Sequence, residues 1–360
     1  MATLTLIGEP FPDTDARAQV AAARNLTEAL AETAPRGCSS RLLLARDSEA
    51  PHLNSPRASV EAVPLTTGAL PLLWRTGATA RPLDGEFVHA NTPLVPLRSR
   101  TEDDGSQTTV LIPHMLAWNA PDLMGAGHAK SYRAFVKRAI KHADVLLAAT
   151  HAVAEQLAAT YGVEAQVLGL AAPSEYLANE HSATLRATMG LPERYIVTTA
   201  LPTEHGRLSW ALDALEADPT LPDLVVLHFG AEPLPPVRES LATRVHIIEV
   251  EDLAEVGAAI SGATLLALPQ THIGAGFEVY GALAAHVPIL HADCSAVAEL
   301  AVDAAVSVDN EADFAKALNR LTGEMGEEVM RQLSLHAADR TRAFSWRITA
   351  WSLWELHASL

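Results

Sequence analysis

The sequence predicts an α/β protein in which two domains, each built on a parallel sheet, follow one another along the chain. Its 360 residues exceed what one ordinary hydrophobic core holds, and half of that length is a usual domain size. Hydrophobic residues make up 49% of the chain and aromatic ones only 5%, so Ala, Val, Leu and Ile must fill the cores, as they do where helices layer on sheets. Short apolar runs alternate with stretches of helical spacing, and strands that alternate with helices pair in parallel.

Residues 3–7 alternate and then meet Gly8, Pro10 and Pro12, after which residues 15–32 place Val20, Leu26 and Leu30 at helical spacing. Further short strands fall at 41–44, 87–90 and 109–112, while helices at 129–143 and 153–161 flank an apolar strand at 145–149. A polar, aperiodic run between Ser99 and Gln107 predicts an exposed loop. Residues 171–193, punctuated by Pro173, Gly190 and Pro192, read as a pause between domains. The pattern then repeats, with strands at 195–199, 224–229, 245–248, 264–268 and 289–292 and helices at 208–217, 252–261 and 276–285. A Trp-rich helix at 348–358 closes the chain and needs a surface to cover. The expected division is 1–175 and 176–343, with 344–360 packing back on the first domain.

A formal net charge of −17, uninterrupted by any Lys/Arg run, argues against nucleic acid as a partner. An anionic ligand would have to be held locally, by a helix N-terminus or a few placed cations, which makes each loop Arg a candidate. Cys38 and Cys294 lie far apart and without metal-ligand spacing, so neither a disulfide framework nor a metal site is expected. No run of ~18 apolar residues occurs, and residues 1–8 lack a basic start. A cytoplasmic setting is therefore expected, with peripheral membrane contact left open.

The second half carries a series of short motifs in a fixed order. Leu268, Pro269 and Gln270 precede Ile273, Gly274, Ala275 and Gly276; Tyr280 to Ala284 and then His286, Val287 and Pro288 follow. In the first half stand Phe87, Val88, His89 and Ala90, then Ile112, Pro113 and His114, then Ala143 and Asp144 with Thr150 to Ala154 beyond; Phe344, Ser345 and Trp346 come near the end. In these segments the chain resembles the group 1 retaining nucleotide-sugar glycosyltransferases over nearly its whole length. The resemblance implies the GT-B fold: two Rossmann-like domains with parallel sheets facing across a cleft and a C-terminal helix crossing back. The first domain would serve the acceptor and the second the nucleotide sugar. It further implies hexosyl transfer, with retention, from a nucleotide-diphosphate sugar to a cell-envelope or small-molecule acceptor, either a saccharide or lipid-linked. The nucleotide sugar would be a substrate, with neither cofactor nor metal required.

The chemistry of such a site follows from its leaving group. A nucleoside diphosphate gains negative charge as the sugar bond breaks, so cations and backbone N–H donors must be in place beforehand. Gly274, Ala275, Gly276 and Phe277, leading into a helix, suit that task; the same spacing taken alone describes a tight turn.

Several working positions differ from the family pattern. Its two glutamates, eight positions apart, fall on Ile273 and on Gly281 at the nucleotide side, and Glu278 between them is the remaining carboxylate, for the sugar or the ribose. Its Arg-Lys pair falls on His205 and Gly206, with Arg207 one step further on, placed either for a phosphate contact or as an exposed first-turn residue. Its Gly-Gly loop is replaced by Gly8, Glu9, Pro10, Phe11 and Pro12. His114 survives, followed by Met115 where the family has Asp; it is a candidate partner of the transferred sugar or else a structural histidine at a strand end. The catalytic candidates are thus His114 and Glu278, and the donor-binding candidates His205, Arg207, Gly274 to Phe277 and Gly281.

Two functions fit: an active glycosyltransferase with an altered donor site, or a catalytically degenerate relative that binds or scaffolds, with a paralogous glycosyltransferase as its partner. A dinucleotide dehydrogenase does not fit, because no Gly-x-Gly-x-x-Gly follows the first strand.

Overall fold

A computed structural model describes the chain except for residues 1, 14, 79–85, 100–104, 126 and 231–233, so most of the loop expected after Ser99 lies outside the described residues. Two compact units result. Residues 1–118, 126–171 and 345–360 form the first, and 119–125 with 172–344 the second.

The first unit contains β1 (Ala2–Ile7), α1 (Ala16–Thr33), β2 (Cys38–Ala45), β3 (Ala58–Val63), α2 (Leu70–Trp74), β4 (Phe87–Ala90) and β5 (Gln107–Ile112). It continues through α3 (Leu116–Asn119), whose last residue belongs to the second unit, and α4 (His128–His142), β6 (Val145–Ala148), α5 (His151–Tyr161) and β7 (Gln166–Val167). Its seven strands run β3-β2-β1-β4-β5-β6-β7, all neighbours parallel. Val110, Leu111 and Ile112 of β5 are each almost wholly buried, as expected of a strand covered on both faces.

The second unit contains α6 (Ser182–Thr188), β8 (Tyr195–Thr198), α7 (Leu208–Ala217), β9 (Asp223–His228), β10 (Val245–Glu249), α8 (Leu253–Gly262), β11 (Leu265–Leu268) and α9 (Phe277–Ala284). After these come β12 (Ile289–Ala292), α10 (Ser295–Ala301), β13 (Ala305–Val308), α11 (Glu311–Thr322) and α12 (Glu327–Arg340). Its six strands run β10-β9-β8-β11-β12-β13, again all parallel. The expected α/β class with two parallel sheets is the observed one.

The stretch read as a pause between domains carries its own packing: Tyr176 is buried, and α6 is tied to α8 by Arg186, whose Nη1 donates to the Ala258 carbonyl at 3.2 Å. Strand β3 went unread because it is an edge strand with mixed exposure, so its apolar alternation is weak.

The last helix, α13 (Trp346–Ser359), returns to the first unit and lies along α1. Ser345 caps it by accepting the Ile348 N–H at 3.2 Å. Trp354 Nε1 donates to the Leu30 carbonyl at 3.0 Å and Thr349 Oγ1 to the Gly169 carbonyl at 2.6 Å. These bonds supply the surface that the Trp-rich segment required.

Candidate functional site

In an open parallel sheet, ligands bind beyond the carboxyl ends of the strands, where the strand order reverses. In the second unit that point lies between β8 and β11. Strands β9 and β10 continue on one side of β8, and β11, β12 and β13 on the other. Two loops leave this point, 199–207 after β8 and 269–276 after β11. They are stitched together by the Thr271 N–H donating to the His205 carbonyl at 3.0 Å, and by Gln270 Nε2 donating to Thr199 Oγ1 at 3.4 Å.

The loop after β8 turns tightly. Leu208 N–H donates to the Leu201 carbonyl at 3.1 Å and Gly206 N–H to Thr203 Oγ1 at 3.1 Å. A Cβ at Gly206 would run into the Leu201 carbonyl oxygen. The position that aligns with the family's lysine therefore has no room for a side chain in this turn. Arg207 follows with a left-handed φ of 51° and starts α7. Its guanidinium lies over the Trp210 ring, 4.5 Å from the centroid, and its Nη1 is buried without a hydrogen-bond partner. An unpartnered buried guanidinium nitrogen is costly unless an anion meets it.

His205 is held from a distance in sequence. Asp122, in the 3-10 turn Pro121–Leu123, accepts from the His205 backbone N–H at 3.1 Å through Oδ2 and pairs with ring Nδ1 at 2.7 Å through Oδ1. Burial alone would raise the Asp122 carboxyl, but hydrogen bonds from the His205 N–H and the Thr203 side chain hold it below the usual range. His272, which the sequence reading passed over, stands edge-on to His205 with centroids 6.4 Å apart, and its Nδ1 meets Thr271 Oγ1 at 2.8 Å. Burial lowers its pKa, as do the neighbouring His205 and Arg207. No cue of period or motif marks Asp122 or His272; only the folded loops bring them to His205.

The Gly-rich loop behaves as a helix start. Gly276 has a left-handed φ of 79° and precedes α9, while a Cβ there would lie 2.9 Å from Leu300 Cδ1 and 3.1 Å from Ile273 Cδ1. Ile273, Ala275 and Phe277 are buried, and Gly274 and Glu278 are half-buried. Glu278 sits in the first turn of α9, where its charge complements the helix dipole, and it adds to the burial that pushes the Cys294 thiol up to about 11. Gly281 lies inside α9 against Tyr176, whose Cβ is 3.4 Å from where a glycine Cβ would be. Hence the second unit brings His205, Arg207, His272 and the loop 274–276 to one end of its sheet and places Gly281 in helix packing.

His114 lies in the first unit, beyond β5. Its ring stacks on Tyr132 at 4.8 Å, and the Tyr132 hydroxyl donates to the His114 carbonyl at 3.1 Å. Burial, with the charge of Asp13, raises the Tyr132 phenol well above its usual range, so it stays a neutral donor. His114 Nε2 faces Asp13 Oδ2 at 3.3 Å, and both side chains are 2% exposed. Asp13 Oδ1 also accepts from the Asp15 N–H at 3.0 Å and Gln19 Nε2 at 3.3 Å. A carboxylate only accepts, so in a neutral ring Nε2 carries the proton and Nδ1, buried and without a partner, is left as an acceptor. The Pro-rich loop after β1 thus supplies Asp13 to the histidine and packs Phe11 edge-on against Tyr132 at 4.9 Å.

Two parallel-sheet units with a returning terminal helix define the GT-B class of α/β fold, and solved structures agree. Sucrose-phosphate synthase from Thermosynechococcus elongatus is similar at 16% identity, with a TM-score of 0.71 over 100% of this chain and 99% of that one. Anabaena HepE, solved in complex with UDP-glucose, is similar at 14% identity and a TM-score of 0.65, with both chains covered in full. WaaG, a glycosyltransferase of lipopolysaccharide biosynthesis, gives 14% identity and a TM-score of 0.64 over 97% of this chain and 98% of that one. At these identities the likeness is one of fold. No protein-family model and no curated protein sequence matches the chain. Among the described residues no helix is long and apolar enough to cross a membrane.

Proposed function

We propose that the protein is a glycosyltransferase that moves a hexosyl group, with retention, from a nucleotide-diphosphate sugar to a saccharide, lipid-linked or small-molecule acceptor. The observation that carries this is that the loop bearing Arg207, with its unpartnered buried nitrogen, and the loop that ends in the Gly274–Gly276 turn into α9 leave the switch point of the second sheet together, joined by the Thr271 to His205 bond. HepE, with this fold, was solved bound to UDP-glucose, and sucrose-phosphate synthase and a trehalose-6-phosphate synthase share the fold too.

In the reaction an acceptor oxygen forms a bond to the anomeric carbon as the bond from that carbon to the diphosphate oxygen breaks. The electron pair of the broken bond goes to the phosphate, and the acceptor proton follows it to the same phosphate on the same face of the sugar. Arg207 and His205 stabilise the charge that develops there, and the dipole of α9 adds to them. In the first unit His114 offers the buried, unpartnered acceptor Nδ1 to a sugar hydroxyl, and in the second Glu278 is the carboxylate beside the Gly-rich turn. No protein nucleophile or metal is needed.

A catalytically degenerate relative, acting through a paralogous partner, is the second reading, and the replacement of both family glutamates by Ile273 and Gly281 favours it. A thermal-shift and NMR screen with UDP-, GDP- and ADP-glucose separates the two. Saturable binding followed by release of nucleoside diphosphate in the presence of acceptor supports the transferase; no binding by any of the three overturns it.

A further inference from the structure

Resting on the reading of the second unit as the donor site, we propose that His272, beside His205, is a further diphosphate ligand and makes the grip on the donor depend on proton uptake by its own ring. Arg207 is the permanent cation here, and the aligned lysine position is the closed turn at Gly206. What stands beside Arg207 instead is a pair of imidazoles. His205 spends Nδ1 on Asp122 at 2.7 Å, and His272 spends Nδ1 on Thr271 at 2.8 Å, so each ring keeps Nε2 for another partner. The backbone bond from Thr271 to the His205 carbonyl locks the two loops that carry them. Gln270 Oε1, buried and without a partner, lies in the same loop as His272.

The charges around the pair are unequal. From the loop after β8, His205 and Arg207 act on His272 as positive neighbours; Asp122, from the turn at 121–123, and Asp293, beyond β12, act as negative ones. Burial and the two positive neighbours outweigh the carboxylates, so the free protein holds His272 neutral at neutral pH. A dianionic diphosphate arriving between these rings reverses that balance and draws a proton onto His272. Binding then tightens as pH falls.

The test is calorimetric titration with the nucleoside diphosphate glucose that binds in the screen, from about pH 8 down to about pH 5.5. Each phosphate of such a ligand carries one ester and one anhydride bond and a single, strongly acidic oxygen, so its own charge does not change over this range. The Kd is expected to fall by about tenfold between pH 8 and pH 6, with proton uptake visible as a dependence on buffer ionisation enthalpy. His272→Gln should flatten most of the slope, whereas Arg207→Ala should weaken binding at every pH and keep the slope; circular dichroism checks that each variant is folded. Saturable binding with a flat pH profile and no proton uptake by the unaltered protein overturns this inference and leaves the transferase reading standing. Absence of binding at every pH overturns both.

Discussion

Gly206 aligns with a lysine in the family the chain resembles, and the simplest way to bring the proposed donor site closer to that pattern would be to put the lysine there. The backbone forbids it, because any Cβ there meets the Leu201 carbonyl within a turn closed by three hydrogen bonds. Gly206→Lys is expected to destabilise the second unit by about 1–3 kcal/mol and to weaken donor binding, measured by urea unfolding and calorimetry. Arg207 is the residue to remove for the opposite comparison. Arg207→Ala should raise the donor Kd by about 10- to 150-fold, the loss of roughly 1.5–3 kcal/mol of charged hydrogen bonding, with little change in unfolding midpoint. The sequence pointed to His205, Arg207 and the Gly-rich turn because they lie in or beside ordered motifs. It did not point to Asp122, 83 positions from the histidine that it holds, nor to His272, whose neighbours are set by two loops meeting. Side-chain partners across such distances leave no periodic trace.

At the scale of elements, what was legible follows burial. Strands β8 and β11, buried along their whole length, appear as mostly apolar runs and were readable; edge strand β3, exposed at Ser59 and Ala62, and the two-residue β7 were not. The Trp-rich helix α13 was readable as a helix, but its polar contacts with the sheet were not. His89 of β4 is wholly buried, with Nδ1 at 2.8 Å from Thr109 Oγ1, and His357 of α13 reaches Gln107 Oε1 at 3.1 Å. Burial holds His89 down to about 3 and His357 down to about 4, against an ordinary imidazole near 6.5. Both rings therefore stay neutral in the folded state while the unfolded chain protonates them. Their contribution to stability is present above pH 6.5 and is lost as pH falls from there toward about 4 and then 3, with a slope of up to about 1.4 kcal/mol per pH unit for each ring. Urea midpoints measured between pH 7.5 and 4.5 should follow this fall, and His357→Gln should make it shallower. A midpoint independent of pH over that range would show that the rings are not held neutral.

At the scale of the molecule, each unit has its own sheet and its own buried core, and the terminal helix belongs to the first. Two cores in one chain need not unfold together. Trp354→Ala removes a buried indole and its bond to the Leu30 carbonyl, so it should lower the first unit's transition by about 3–5 kcal/mol and leave the second where it was. A nucleotide sugar should do the reverse, because Arg207, His205, His272 and the turn at Gly276 all lie in the second unit. Mass action gives a gain of about 2.7 kcal/mol when the ligand is at a hundred times its Kd, and only the unit that holds the ligand receives it. Hydrogen exchange with and without UDP-glucose reads each unit separately: slower exchange in β8, β11 and α9 with α13 unchanged is the expected result. Protection confined to α1, β5 and α13 would place the nucleotide on the first sheet and remove the basis for assigning the donor to the loops after β8 and β11.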